Sequence, residues 1–234
     1  MEHLFSGLDA VLFDLDGTLV ETDIDFPLMK REMIRFAADH GLSSEELAGL
    51  DILAITDSLA SHVRGTRGEA AAKAAYREAL AILEDIELRH SASAREIRPA
   101  RELTRMLRCL NTKVGVVTRN CRAASEQSLG RVGIAPDVLI CREDVLRTKP
   151  SGDHLLAALE QLSARPEKSL MIGDHVMDIL AGKAAGMRTI GLLTEGRTPE
   201  HFASARPDAM ARNLHEILDA LVGCHSQLEH EPAP

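Results

Sequence analysis

Aromatic side chains are scarce in this chain, with no Trp, one Tyr and five Phe in 234 residues. The core must therefore be filled by aliphatic residues, which the 45% hydrophobic content supplies. A dense basic block is also missing. Net charge is −9, from 27 Lys and Arg against 36 Asp and Glu, and that sign argues against a nucleic-acid surface. An acidic protein can still bind an anion locally, through a metal and a few cations. No two cysteines have CxxC spacing: Cys109, Cys121, Cys141 and Cys224 lie far apart. Neither a zinc site nor a thioredoxin-like centre is indicated. They read as reduced thiols, and the expected compartment is the cytoplasm. No apolar run is long enough to span a membrane, no signal-peptide pattern opens the chain, and no internal repeat is visible. What remains is ordinary globular usage, at a length that suits one medium domain or a domain carrying an insertion.

The stretch Val11 to Leu19 organises the rest. An apolar run, Ala10 to Phe13, reads as a strand and breaks at Asp14-Leu15-Asp16-Gly17. Leu15 points away between the two acids, because side chains alternate along an extended chain. Two carboxylates so close repel unless something compensates them, and a divalent cation is the usual partner for oxygen ligands. Taken alone, the stretch could also be a capped turn after a strand, where Asp and Gly are common.

Beyond Leu19 the pattern becomes helical. Pro27 suits a first helical turn, Leu28 to His40 is amphipathic, and Gly41 fits its C-terminal cap. Ser43 to Glu46 has capping-box spacing, and Asp51 to Val63 continues with helical periodicity. Arg64-Gly65-Thr66-Arg67-Gly68 reads as a break before an Ala-rich helix over Glu69 to Arg89. No strand signal occurs between Glu21 and about Ser93, so residues 21–93 are expected to be an inserted helical cap. Strand and helix signals then alternate. Strands are expected at Lys113 to Thr118, Val138 to Ile140, Ser169 to Asp174, Arg188 to Gly191 and Asp208 to Met210. Helices are expected over Pro99 to Leu110, Arg122 to Arg131, Gly152 to Ser163, after Asp174, and Leu214 to Leu221. That alternation predicts an α/β core, a doubly wound (Rossmann-like) parallel sheet formed by residues 1–20 and 94–225, with a disordered tail over 226–234.

A parallel sheet brings several strand ends to one edge. Asp14, Asp16, Thr118, Lys149 and Asp174 then converge. Three acids, a hydroxyl and an ammonium suit phosphoryl transfer through a carboxylate nucleophile. An aspartate can carry the phosphoryl group as an acyl phosphate, while a second aspartate moves the proton.

These residues resemble the haloacid dehalogenase superfamily, in its phosphatase branch with a helical cap. Asp14-Leu15-Asp16-Gly17-Thr18-Leu19 looks like its first motif, Thr118 like the second, Lys149-Pro150 like the third, and Gly173-Asp174-His175-Val176-Met177-Asp178 like the fourth. The resemblance implies that Asp14 is the nucleophile and Asp16 the general acid/base. It implies that Gly17, Thr118, the following backbone and Lys149 bind phosphate. It makes Mg2+ the cofactor, held by Asp14, Asp174 and the backbone carbonyl of Asp16, with Asp178 an outer or alternative ligand. Asp178 could equally serve its helix's first turn. Arg119 and Asn120 face substrate, or Arg119 pairs with a cap carboxylate. His175 departs from the family's small residue; it is a donor behind the site, a substrate contact or an exposed helix-start residue. Arg64 and Arg67 lie in a solvated interhelical loop or meet a substrate anion. Asp16 favours phosphate over carbon–halogen chemistry, since the dehalogenase branch lacks an acid there.

The expected activity is an Mg2+-dependent phosphatase acting on a small phosphorylated metabolite, resembling phosphoglycolate phosphatases. The alternatives are a sugar phosphomutase of the β-phosphoglucomutase type, or a catalytically weak binding protein. No nucleic-acid or membrane partner is expected, and the chain could be a monomer or homodimer.

Overall fold

The computed structural model describes residues 1–194 and 196–228, the last three of these by their backbone. Among the described residues the strands are, in chain order, β1 (Ala10–Phe13), β2 (Val20–Glu21), β3 (Arg95–Glu96), β4 (Lys113–Val117), β5 (Val138–Ile140), β6 (Ser169–Gly173), β7 (Arg188–Leu192) and β8 (Ala209–Ala211). The helices are α1 (Phe26–Asp39), α2 (Ser44–Leu47), α3 (Ile52–Arg67), α4 (Glu69–Ser91), α5 (Ala100–Cys109), α6 (Arg122–Val132), α7 (Asp153–Leu162), α8 (Val176–Ala184) and α9 (Leu214–Leu228). None of these described helices is long and apolar enough to cross a membrane.

Strand β1 is buried along its whole length, as its unbroken apolar run requires. It pairs in parallel with β4 on one side and β6 on the other. The sheet order is β5-β4-β1-β6-β7-β8, with every pairing parallel. Alternation along β1 sends Val11 and Phe13 to one face and Ala10 and Leu12 to the other. The first face packs on Leu103 and Leu107 of α5, Leu129 of α6, and Leu214 and Ile217 of α9. The second packs on Leu155, Leu159 and Leu162 of α7 and Ala181 of α8. Helices therefore cover both faces, the doubly wound arrangement expected from the alternating signals. Apart from Phe5 and Phe13 the packing is mainly aliphatic, and burying each such leucine contributes about 1.5–3 kcal/mol.

The chain divides into two compact units, Met1–Thr22 with Ala92–Pro234, and Asp23–Ser91. The second unit is helical and has its own core, including Met33 of α1, Ile55 and Leu59 of α3, and Ala79 and Leu83 of α4. Asp25 caps α1 by accepting the Leu28 N–H at 2.7 Å, and Asp51 caps α3 through Leu53 and Ala54.

Several local expectations are corrected. Ser43 precedes α2, but its side chain makes no capping bond, so the capping-box pattern is not used. The break expected at Arg64 to Gly68 is shorter: α3 runs through Arg67, and only Gly68 interrupts the helix. Arg64 and Arg67 thus belong to an exposed last helical turn, where cations suit the helix dipole, and Arg64 pairs with Glu69 at 2.7 Å. Strands β2 and β3 form a two-stranded antiparallel ribbon that the sequence pattern did not reveal, because two residues are too few to show a period. Helix α9 continues to Leu228, past the expected start of the tail at Ser226. The rest of the expected disordered tail, residues 229–234, lies outside the described residues.

Candidate active site

The strand order reverses at β1, with β4 and β5 to one side and β6 to β8 to the other. Such a switch point opens a crevice at the carboxyl ends of the strands. Asp14 follows β1 directly, its N–H donating to the Ile172 carbonyl at 3.0 Å. Thr118 follows β4, its N–H on the Ile140 carbonyl at 2.9 Å, and Asp174 follows β6. Lys149 arrives from the connection between β5 and α7.

Lys149 joins these elements. Its Nζ donates to Asp14 Oδ1 at 2.5 Å and to Asp178 Oδ1 at 2.7 Å. The Lys149 and Asp178 side chains are each 2% exposed, and that of Asp14 is 14% exposed. Removing one partner of such a buried group leaves an uncompensated charge, at a cost of roughly 3–5 kcal/mol. Burial opposes the charge on Lys149, but the Asp14 and Asp178 carboxylates hold its ammonium above the ordinary lysine value. Burial pushes the Asp14 carboxyl well up; Lys149 pulls it back, and the charges of Asp178 and Asp174 raise it again. Asp174 is also raised by burial, against the pull of Arg197.

Oxygen atoms of Asp14, Asp174 and Asp178 all lie within 4.8 Å of one another. An all-carboxylate set with more negative than positive charge suits a hard divalent cation, so these residues fit Mg2+ by donor chemistry. Among the described residues, this group does not include the Asp16 side chain. The Asp16 carboxylate instead accepts from Thr22 Oγ1 at 2.6 Å and from Asn120 Nδ2 at 2.5 Å.

Two glycines leave room for the acids. Gly17 has φ +77°, and a methyl there would run into the Asp174 carboxyl. A methyl on Gly173 would overlap the side chain of Asp178. Asp178 has two jobs: besides meeting Lys149, its Oδ2 accepts the His175 N–H at 2.9 Å and closes a capping box at the start of α8. His175 also accepts the Met177 N–H on Nδ1 at 3.2 Å, which matches the helix-start reading of this residue.

Thr118, Arg119 and Asn120 follow β4. Thr118 is buried, and its Oγ1 accepts the Asn120 N–H at 3.2 Å. Arg119 directs Nη1 to Met177 Sδ at 3.0 Å. Three further residues had no sequence signal. Thr22 reaches Asp16 from six positions downstream. His154, fully buried on α7, accepts the backbone N–H of Lys149 on Nδ1 at 3.2 Å. Burial, followed by the charge of Lys149, lowers its pKa to about 3, so its imidazole is neutral. Arg197 donates Nη1 to Asp174 Oδ2 at 2.8 Å. The cysteines are free, and burial lifts the Cys141 thiol to about 12.

A profile of the haloacid dehalogenase-like hydrolases matches residues 11–192. A PpaX protein of Clostridium perfringens is 30% identical over 214 residues, covering 91% of this chain and 96% of that protein. A pyrophosphatase PpaX of Anoxybacillus flavithermus is 29% identical over 221 residues, covering 92% and 97%. The crystal structure of a hydrolase from Pseudomonas syringae shares the fold with a TM-score of 0.65 at 21% identity, covering 92% of this chain and 98% of that one. The chain therefore belongs to the haloacid dehalogenase-like hydrolase family and is an enzyme of its phosphatase class.

Proposed function

We propose that this protein is an Mg2+-dependent phosphatase that works through a phosphoaspartate, with inorganic pyrophosphate its first substrate to test. The observation that carries the reading is the buried Asp14–Lys149–Asp178 group, beside Asp174, at the strand-order switch. The PpaX relatives turn the substrate expectation from phosphoglycolate towards pyrophosphate, and they favour hydrolysis over a phosphomutase reaction. Four free thiols agree with a cytoplasmic setting.

In this reading Asp14 Oδ attacks phosphorus and forms an acyl phosphate, while the bond to the leaving oxygen breaks. Asp16, aimed by Thr22 and Asn120, gives a proton to that oxygen. Asp16 then takes a proton from water as the water oxygen attacks phosphorus, releasing phosphate and restoring the Asp14 carboxylate. Lys149 holds Asp14 in place and offsets its charge against the incoming anion. Thr118 and the backbone after it face the phosphoryl oxygens. Asp14 and Asp174, with the Asp16 carbonyl that the family resemblance adds, would hold Mg2+, which would neutralise charge on the phosphoryl group.

The test is release of phosphate from pyrophosphate, p-nitrophenyl phosphate and a panel of metabolite phosphates, with Mg2+ or with EDTA. Activity is expected with Mg2+ and lost with EDTA, and Asp14→Asn is expected to lower kcat by roughly a thousandfold or more. Retained turnover in Asp14→Asn refutes the nucleophile. Conversion of β-glucose 1-phosphate without phosphate release would restore the phosphomutase alternative.

A further inference from the structure

Two cations serve the acids of this site, and they differ in how firmly they are held. Lys149 is 2% exposed and bridges two carboxylates. Arg197 is 30% exposed and meets one, Asp174, at 2.8 Å. It comes from the connection between β7 and the 3-10 turn Pro199–Phe202, well along the chain from the acid it pairs with. Its Nη1 also lies 3.5 Å from His201 Nε2, and the His201 ring stands edge-on to that of His175 at 5.8 Å. Gly17 closes against the same Asp174 Oδ2 that Arg197 contacts, so this oxygen is enclosed by the loop after β1 and by the arginine.

We propose that Arg197 competes with the divalent cation for Asp174, so that the segment after β7 helps to set metal affinity. The inference rests on the reading of Asp174 as a metal ligand. A guanidinium and a dication both draw on the charge of one carboxylate and repel each other. The more exposed, singly held Arg197 is the partner that yields, while Lys149 stays with Asp14 and Asp178. Linkage makes the coupling reciprocal: metal binding weakens the Arg197–Asp174 contact by the factor by which the contact weakens metal binding.

Titration of the full-length protein with Mn2+, read by electron paramagnetic resonance without substrate, tests this. Arg197→Gln is expected to bind Mn2+ roughly two- to fivefold more tightly, the range set by a partly exposed ion pair. Arg197→Lys should stay near the wild-type value. Arg212→Gln, which removes an arginine paired to Glu216 on the surface, controls for net charge and should not change affinity. Unchanged or weaker binding in Arg197→Gln overturns the proposal, as does an equal gain in Arg212→Gln. Absence of Mn2+ binding in every variant overturns it together with the metal part of the proposed function. Tighter binding by Arg197→Gln in a protein that hydrolyses no phosphate ester overturns the proposed activity alone.

Discussion

In the proposed mechanism single residues carry the chemistry, and Lys149 does so through a neighbour distant in sequence. Lys149 is a surface type by composition, yet it is buried between two acids, and Asp14 lies 135 positions before it. His154 supports Lys149 from behind and makes a pH prediction. Its folded pKa of about 3 lies below the ordinary value of 6.5. Between those values the unfolded chain takes up a proton that the folded chain refuses. The stability contributed by neutral His154 is therefore complete above pH 6.5 and is lost progressively as pH falls towards 3. One such group accounts for on the order of 2 kcal/mol between about pH 7 and about pH 5. Urea unfolding of the wild type and of His154→Gln at both pH values measures it. The variant should lose less stability on acidification; equal losses would assign the acid sensitivity elsewhere.

At the scale of elements, β6 and α8 form one unit of the site. β6 ends at Gly173, Asp174 follows, and Asp178 caps α8 while it holds Lys149. Gly173→Ala places a methyl against Asp178, which must then leave either the helix cap or Lys149. A fall in kcat of roughly tenfold or more is expected, with a loss of about 1–3 kcal/mol in stability. Wild-type kinetics and an unchanged melting temperature would show that Asp178 can shift without consequence. The strand and helix signals of this region were legible in sequence because apolar runs end at Asp, Thr and Gly-Asp. The two-residue strands β2 and β3 were not legible, since they exist through pairing with each other.

The whole molecule has separate hydrophobic centres around the parallel sheet and in the helical unit. Leu12 is fully buried in the first, and Leu83 is 1% exposed in the second. Each change to Ala is expected to destabilise its own unit by about 2–5 kcal/mol. Because the two residues lie in separate clusters, their effects should add within about 0.5 kcal/mol. Chemical denaturation of both single variants and the double variant measures this; a marked departure from additivity would mean that the two cores respond to each other.

The amino-acid order by itself determined the alternation of strands and helices, the buried character of β1 and the placement of Asp14, Thr118 and Asp174 at strand ends. Those properties follow from local periodicity and from the residues that stop a strand. Tertiary structure alone decided that β6, and not β5, lies beside β1, that Lys149 meets Asp178 as well as Asp14, and that Arg197 meets Asp174. The reason is physical. Local preference acts over a few residues, whereas these partners are chosen by packing, which brings together groups whose sequence neighbours carry no trace of the pairing.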